Sequence, residues 1–240
     1  MTELASVAPF VYWIGMEPGE PLTPDELRDV EQHYNTVHVA EVVDRNPGFV
    51  SGRRWIRSDA ESSSSASPLW LAMYDIDTRA AADAYLDRVS RKVRVSPEYT
   101  AGPPAWKKLR ARWRVVWEVD TAVGDLRGCE RAVLLGLDAD PAGDAAAGDM
   151  LSWAGERSPA ADAESAPAAV RLRRYRTISD PDGTVPRQCV LLGTPDRSGR
   201  AAPGAAFDAY SAEVRGRSGG GRWLRGYRRA VRDVGMGRPI

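Results

Sequence analysis

Histidine and cysteine are scarce in this 240-residue chain, two of each: His33, His38, Cys129 and Cys189. Scattered in this way they form no zinc-type ligand cluster, so no metal site is expected. Each cysteine sits in an apolar, strand-like context and reads as a buried free thiol of a reducing cytosol rather than half of a disulfide. Net charge is missing too, with Lys plus Arg and Asp plus Glu at 33 each, whereas a nucleic-acid binder ordinarily carries a basic excess. No window approaches the roughly 18 apolar residues that cross a bilayer. The opening MTELASVAPFVYW also lacks the basic start and cleavage pattern of a signal peptide. A flavin or nicotinamide site calls for a glycine-rich turn between a strand and a helix. The run Arg217-Ser-Gly-Gly-Gly-Arg222 instead precedes a strand. The chain is therefore expected to be cytoplasmic, with no nucleic-acid partner and no membrane partner.

What is present is aromatic and arginine-rich. Eight Trp and eight Tyr alternate locally with Arg, Leu and Val, as in half-buried strands. The length allows a sizeable core, as one large domain or two of about 100–120 residues. Phe10–Met16 reads as a strand. Thr23-Pro24-Asp25-Glu26 starts a helix, with Thr23 as N-cap, Pro24 in the first turn and Glu26 completing a capping box. From there Leu27, Val30, Tyr34, Val37 and His38 recur at helical steps, and Pro47-Gly48 ends the segment. Phe49–Ile56 reads as a strand and Asp59–Ser67 as a serine-rich loop. Leu69–Ile76 is a buried strand, Ala80–Val93 a second helix, Ala101-Gly-Pro-Pro a loop, and Leu109–Val119 a closing strand. This is the split βαβ, or ferredoxin-like, order.

The second half repeats that order. Ala132–Leu137 answers the first strand, Arg173-Arg174-Tyr175 answers Arg53-Arg54-Trp55, and Cys189–Leu192 answers Trp70–Met73. Phe207-Asp-Ala-Tyr210 stands where Ala82-Asp-Ala-Tyr85 stood, and Trp223–Val234 answers the closing strand. Aligned on the Arg-Arg pairs, Ser158 falls on His38, Ala161 on Glu41 and Ala154 on Tyr34. The expected fold is α+β: tandem ferredoxin-like (βαββαβ) units packed sheet to sheet as an intramolecular α/β barrel. The first unit spans 1–122, and a second, degenerate unit spans 123–240. The fusion replaces a homodimer, so a monomer or weak homodimer is expected.

The first half resembles the EthD-like group of the dimeric α/β-barrel superfamily. The residues that carry the resemblance are His33-Tyr34-Asn35-x-x-His38, Glu41, Pro47-Gly48-Phe49, Arg53-Arg54-Trp55 and Leu71-Ala-Met-Tyr-Asp-Ile76. His33 stands where the group has Trp, and Asn35 where it has Asp. The superfamily holds monooxygenases, isomerases, dehydratases, cyclases and haem enzymes, so the resemblance implies a fold more than a reaction. Haem-binding relatives with two fused units generally carry the iron-ligating histidine in the C-terminal unit. From Asp120 onward this chain has none, and no cofactor is expected.

Tyr34, His38 and Glu41, four and three residues apart, share one face of a regular helix. A carboxylate beside an imidazole fixes its tautomer and strengthens it as a base, and a phenol can donate a proton. That kit suits acid-base cyclisation, isomerisation or dehydration of a hydrophobic, oxygenated, polyketide-like molecule in secondary metabolism. A cofactor-free monooxygenase and a non-catalytic small-molecule-binding protein are the alternatives. Simple packing of this face on the sheet is the plainer reading, and His33 reads as a boundary residue. Candidates for the barrel lining and substrate contact are Trp13, Trp70, Trp113, Trp117 and Tyr175. Arg54 is a candidate partner for an oxyanion, and core filling is the plain alternative for each aromatic.

Overall fold

The computed structural model describes residues 7–57, 68–90, 99–123, 126, 129–137, 141–157, 171–180, 185–195 and 221–234. Eight strands carry the fold: β1 (Phe10–Pro18), β2 (Phe49–Arg57), β3 (Trp70–Ile76), β4 (Leu109–Val123), β5 (Cys129–Leu137), β6 (Arg171–Ser179), β7 (Gln188–Pro195) and β8 (Gly221–Val234). All pairings are antiparallel and run in a closed ring, β1-β3-β2-β8-β5-β7-β6-β4. The arcs β4-β1-β3-β2 and β8-β5-β7-β6 repeat one strand order. They are joined edge to edge by β2 with β8 and by β4 with β6. The two arcs therefore meet through hydrogen-bonded seams on both sides.

The helices lie outside the ring. The first begins at the Thr23 N-cap, with Thr23 and Glu26 bonded reciprocally as the sequence predicts and Pro24 in the first turn. It runs as α1 (Pro24–His33), one π-helical turn (Tyr34–His38) and α2 (Val39–Arg45). α3 spans Arg79–Ser90 and α4 spans Pro141–Arg157. The serine-rich loop, the Phe207–Tyr210 segment, and Ser158 and Ala161 lie outside the described residues.

Strand alternation sorts side chains between the interior and the helix layer. Inside stand Val11, Trp13, Trp55, Leu71, Met73, Trp113, Val115, Trp117, Ala132, Leu134, Tyr175, Cys189 and Leu191, all buried in one cluster. Outside, Phe10, Tyr12, Ala72, Tyr74 and Val116 meet Tyr34, Val39, Val42 and Val43 of the first helix. Gly52 lets that helix sit close, because a Cβ there would meet Val39 at 2.9 Å and Val43 at 3.0 Å. Gly48 makes the turn into β2 with a φ of +82°, a conformation that costs glycine little.

The interior is not wholly apolar. Asp75 is bound there by Arg53, by Arg173 at 3.2 Å and by the Ser51 hydroxyl at 2.7 Å. Burial opposes its charge, yet the two guanidinia and Ser51 hold the Asp75 carboxyl below the usual range. The ion pair ties the first arc, through Asp75 and Arg53, to the second, through Arg173.

Candidate functional site

The π-helical turn reorganises the face that the helical spacing predicts. The Val39 N–H donates to the carbonyl of Tyr34, five residues back, and the Thr36 hydroxyl donates to the Gln32 carbonyl at 2.8 Å. The extra residue advances the buried face from Val30 and Tyr34 to Val39, Val42 and Val43. Single π-turns of this kind gather at functional sites. Here one turns Glu41 away from the side of Tyr34, toward Thr100 and Arg45, while the His38 ring stays in contact with Tyr34.

Tyr34 is fully buried, and burial pushes its phenol up to about 12. It walls the site with its ring, 5.3 Å from the His38 ring and at 88° to it. His38 is half-buried and sits among aromatic rings: Trp106 at 4.9 Å, Tyr99 at 5.3 Å and His33 at 6.4 Å. Burial first, then His33, lowers the His38 pKa to about 4 against the opposing pull of Glu41. At neutral pH the ring is uncharged, and among the described residues none hydrogen-bonds it. His33 stacks edge-on to Trp106 at 5.1 Å, so it belongs to the cluster rather than to its boundary.

Glu41 does not orient His38. Its carboxylate accepts from the Thr100 N–H at 3.0 Å, the Thr100 hydroxyl at 2.6 Å and Arg45 at 2.9 Å. Burial opposes its charge, but the Thr100 bonds, Arg45 and His38 together hold its pKa below the usual value.

Arg54 and Trp70, expected in the lining, stand on the outer face of the wall. Arg54 is fully buried between the rings of Tyr34 at 4.6 Å and Trp70 at 5.0 Å. It donates to Asn35 at 2.6 Å and so fastens the π-turn to β2. Trp70 packs with Val30, Ile56 and Ala105. The alternation of β2 and β3 turns both away from the interior. Trp13, Trp113, Trp117 and Tyr175 do face inward, where they pack on one another. Trp13 lies 4.9 Å from both Trp117 and Tyr175. The spacing of the sequence missed Tyr99, Thr100 and Trp106. An aromatic just after Pro103-Pro104, a pair that stiffens the chain, was the available signal.

No family model and no curated protein matches the sequence. In fold, the chain is similar to the crystal structure of an anthrone oxidase-like protein, with 11% identity and a TM-score of 0.51 over 97% of this chain and 95% of that one. A dye-decolorizing protein from V. cholerae matches with 8% identity and a TM-score of 0.46 over 93% and 94% of the two chains. A mutant chlorite dismutase from Candidatus Nitrospira defluvii matches with 8% identity and a TM-score of 0.45 over 95% and 94%. At 11% identity the first likeness is one of fold: antiparallel strands with helices, α+β and similar to ferredoxin-like folds. The comparisons do not single out the EthD-like group.

A histidine-held haem does not fit the second arc. That half supplies no histidine, and the space between its sheet and α4 is filled by Leu135, Leu137, Met150, Leu172, Val190 and Leu192. Among the described residues no His/Cys/Asp/Glu group could hold a metal ion, and no helix is long and apolar enough to cross a membrane.

Proposed function

We propose that the chain is an enzyme that moves a proton on a hydrophobic, oxygenated aromatic small molecule, with His38 as the base. The observation that carries this reading is a half-buried, uncharged imidazole, with no hydrogen bond from a described residue, ringed by Tyr34, Tyr99 and Trp106. Such a ring accepts a proton from an acidic C–H or a phenol O–H. Its weak basicity in the free protein is offset once the enolate forms beside it, because an adjacent negative charge favours the imidazolium. The enolate then cyclises, isomerises or loses water with no further reagent. In the second reading it reacts with dioxygen, as in the conversion of anthrone plus O2 to anthraquinone plus water.

The fold likeness to an anthrone oxidase-like protein makes anthrone the first probe. The oxygen electrode should register uptake above the uncatalysed rate, with His38→Ala lowering turnover by about 100-fold or more. Conversion without oxygen uptake would favour cyclisation, isomerisation or dehydration. Anthrone binding that is unchanged in His38→Ala, with no turnover in either protein, would support a binding protein and overturn the base.

We further propose that the two arcs are fused copies of one ferredoxin-like unit, 1–122 and 123–240, of which only the first keeps this site. Their matching strand order supports this, as does the matching of Arg53-Arg54 by Arg173-Arg174. The first arginine of each pair reaches Asp75 inside, and the second lies under a helix, Arg174 on Asp144 of α4. Among the described residues the ring leaves no open strand edge, which supports a monomer.

A further inference from the structure

Residues 99–108 run along the outer side of the first helix and are clipped to it at both ends by glutamates of that helix. At one end Glu41 accepts both the N–H and the hydroxyl of Thr100. At the other, Glu26 accepts from the Lys108 ammonium at 2.7 Å, while the Lys108 carbonyl takes the Gly19 N–H at 2.7 Å. Between the clips, Pro103 and Pro104 restrict the backbone, and the Trp106 N–H closes a short turn onto the Pro103 carbonyl at 2.8 Å. The segment thereby lays Tyr99 and Trp106 against His38. Tyr99 is itself steadied by Asn46, whose amide donates to its hydroxyl at 3.1 Å.

We infer that Glu41 is a positioning residue that acts on His38 at one remove, by fastening residues 99–108 as a strap whose Tyr99 and Trp106 cover the imidazole. The inference rests on the reading of His38 as the site. It assigns Glu41 a different task from tautomer control, because the hydrogen bonds its carboxylate accepts come from Thr100 and Arg45. A substrate reaching His38 has to displace or stack against the strap, so the Thr100 clip sets how tightly an aromatic ligand is gripped. Charge-assisted bonds of this kind are the stronger class of hydrogen bond, and losing the clip leaves the Lys108 end and the Asn46 bond to Tyr99.

Thr100→Ala separates the two roles of Glu41, because it removes the clip and keeps the charge. The titratable groups around His38 are His33, Glu41, Tyr34 and Tyr99, with Arg45 bound to Glu41. With only two histidines in the chain, NMR can follow the His38 titration directly. If Glu41 fastens the strap, Thr100→Ala loosens the cover while keeping the Glu41 charge, and moves the His38 midpoint up from about 4, toward the ordinary value, by about one pH unit. Amide exchange across residues 99–108 should also quicken by at least about tenfold. Glu41→Ala also removes the carboxylate that raises the His38 midpoint, so Thr100→Ala, which keeps that charge, decides the matter: a midpoint left in place in Thr100→Ala overturns the strap. Thr100 is exposed, so Thr100→Ala keeps the test open should Glu41→Ala fail to fold. Neither readout uses turnover. An inert His38→Ala phenotype on anthrone would sink the proposed reaction without touching the strap, and an unmoved titration would do the reverse.

Discussion

Burial of an uncharged histidine makes the stability of this protein depend on pH in a window where few other side chains titrate. His38 has a pKa of about 4 in the folded chain, against 6.5 for the exposed residue. The unfolded chain therefore binds a proton below pH 6.5 that the folded chain refuses until pH 4 is approached. Stability from this group is complete above pH 6.5 and is lost as pH falls toward 4. Between pH 7 and pH 5 the linkage integral comes to about 2 kcal/mol, and the full loss below pH 4 to about 3 kcal/mol, both order-of-magnitude figures. The perturbation that isolates this effect is His38→Gln, which keeps a polar group and removes the titration. Urea unfolding followed by tryptophan fluorescence, at pH 7 and pH 5, gives four free energies. The drop for the wild type should exceed the drop for His38→Gln by about 2 kcal/mol, with contributions from the carboxylates cancelling. A difference below about 0.5 kcal/mol, or one of opposite sign, would mean that the aromatic cluster does not keep the imidazole neutral.

Two further outcomes test the frame that holds the site. Asp75→Ala leaves Arg53 and Arg173 in the barrel without the carboxylate they share, and should cost about 3–5 kcal/mol in a urea titration; a cost under 1 kcal/mol would show that water reaches the cluster. Gly52→Ala drives a methyl into Val39, Val43 and Tyr74 at 2.9–3.1 Å and should destabilise by about 1–3 kcal/mol. It should also shift the His38 resonance, since the same helix carries both.

Much of the frame is legible in the sequence because its signals are local. Thr23-Pro24-Asp25-Glu26 starts a helix by hydrogen bonds that span three residues, and Pro47-Gly48 ends one by backbone geometry. Leu69–Ile76 reads as buried since it is apolar apart from Asp75, and strand β3 fills nearly that range. The Arg-Arg pairs announce two similar strands. Which arginine turns inward depends on register with β3, and register is set by partners far along the chain, so Arg54 was assigned to the wrong face. The π-turn has no residue signature in Tyr34–His38. One inserted residue rotates everything after it by about a quarter turn, and that rotation parts Glu41 from Tyr34 while His38 keeps its ring contact with Tyr34. Trp106 and Thr100 reach His38 and Glu41 across about 60 residues of sequence, a distance that helical or strand periodicity does not span.

The seams of the ring bear on how the molecule comes apart. The pairs β2 with β8 and β4 with β6 each join one arc to the other. A chain cut in the connection after Val123 would give two pieces, each ending in two bare strand margins whose natural mates lie on the other piece. Bare margins recruit any strand on offer. Either piece made alone should gather with itself in solution, and the two made together should reassemble without a covalent link.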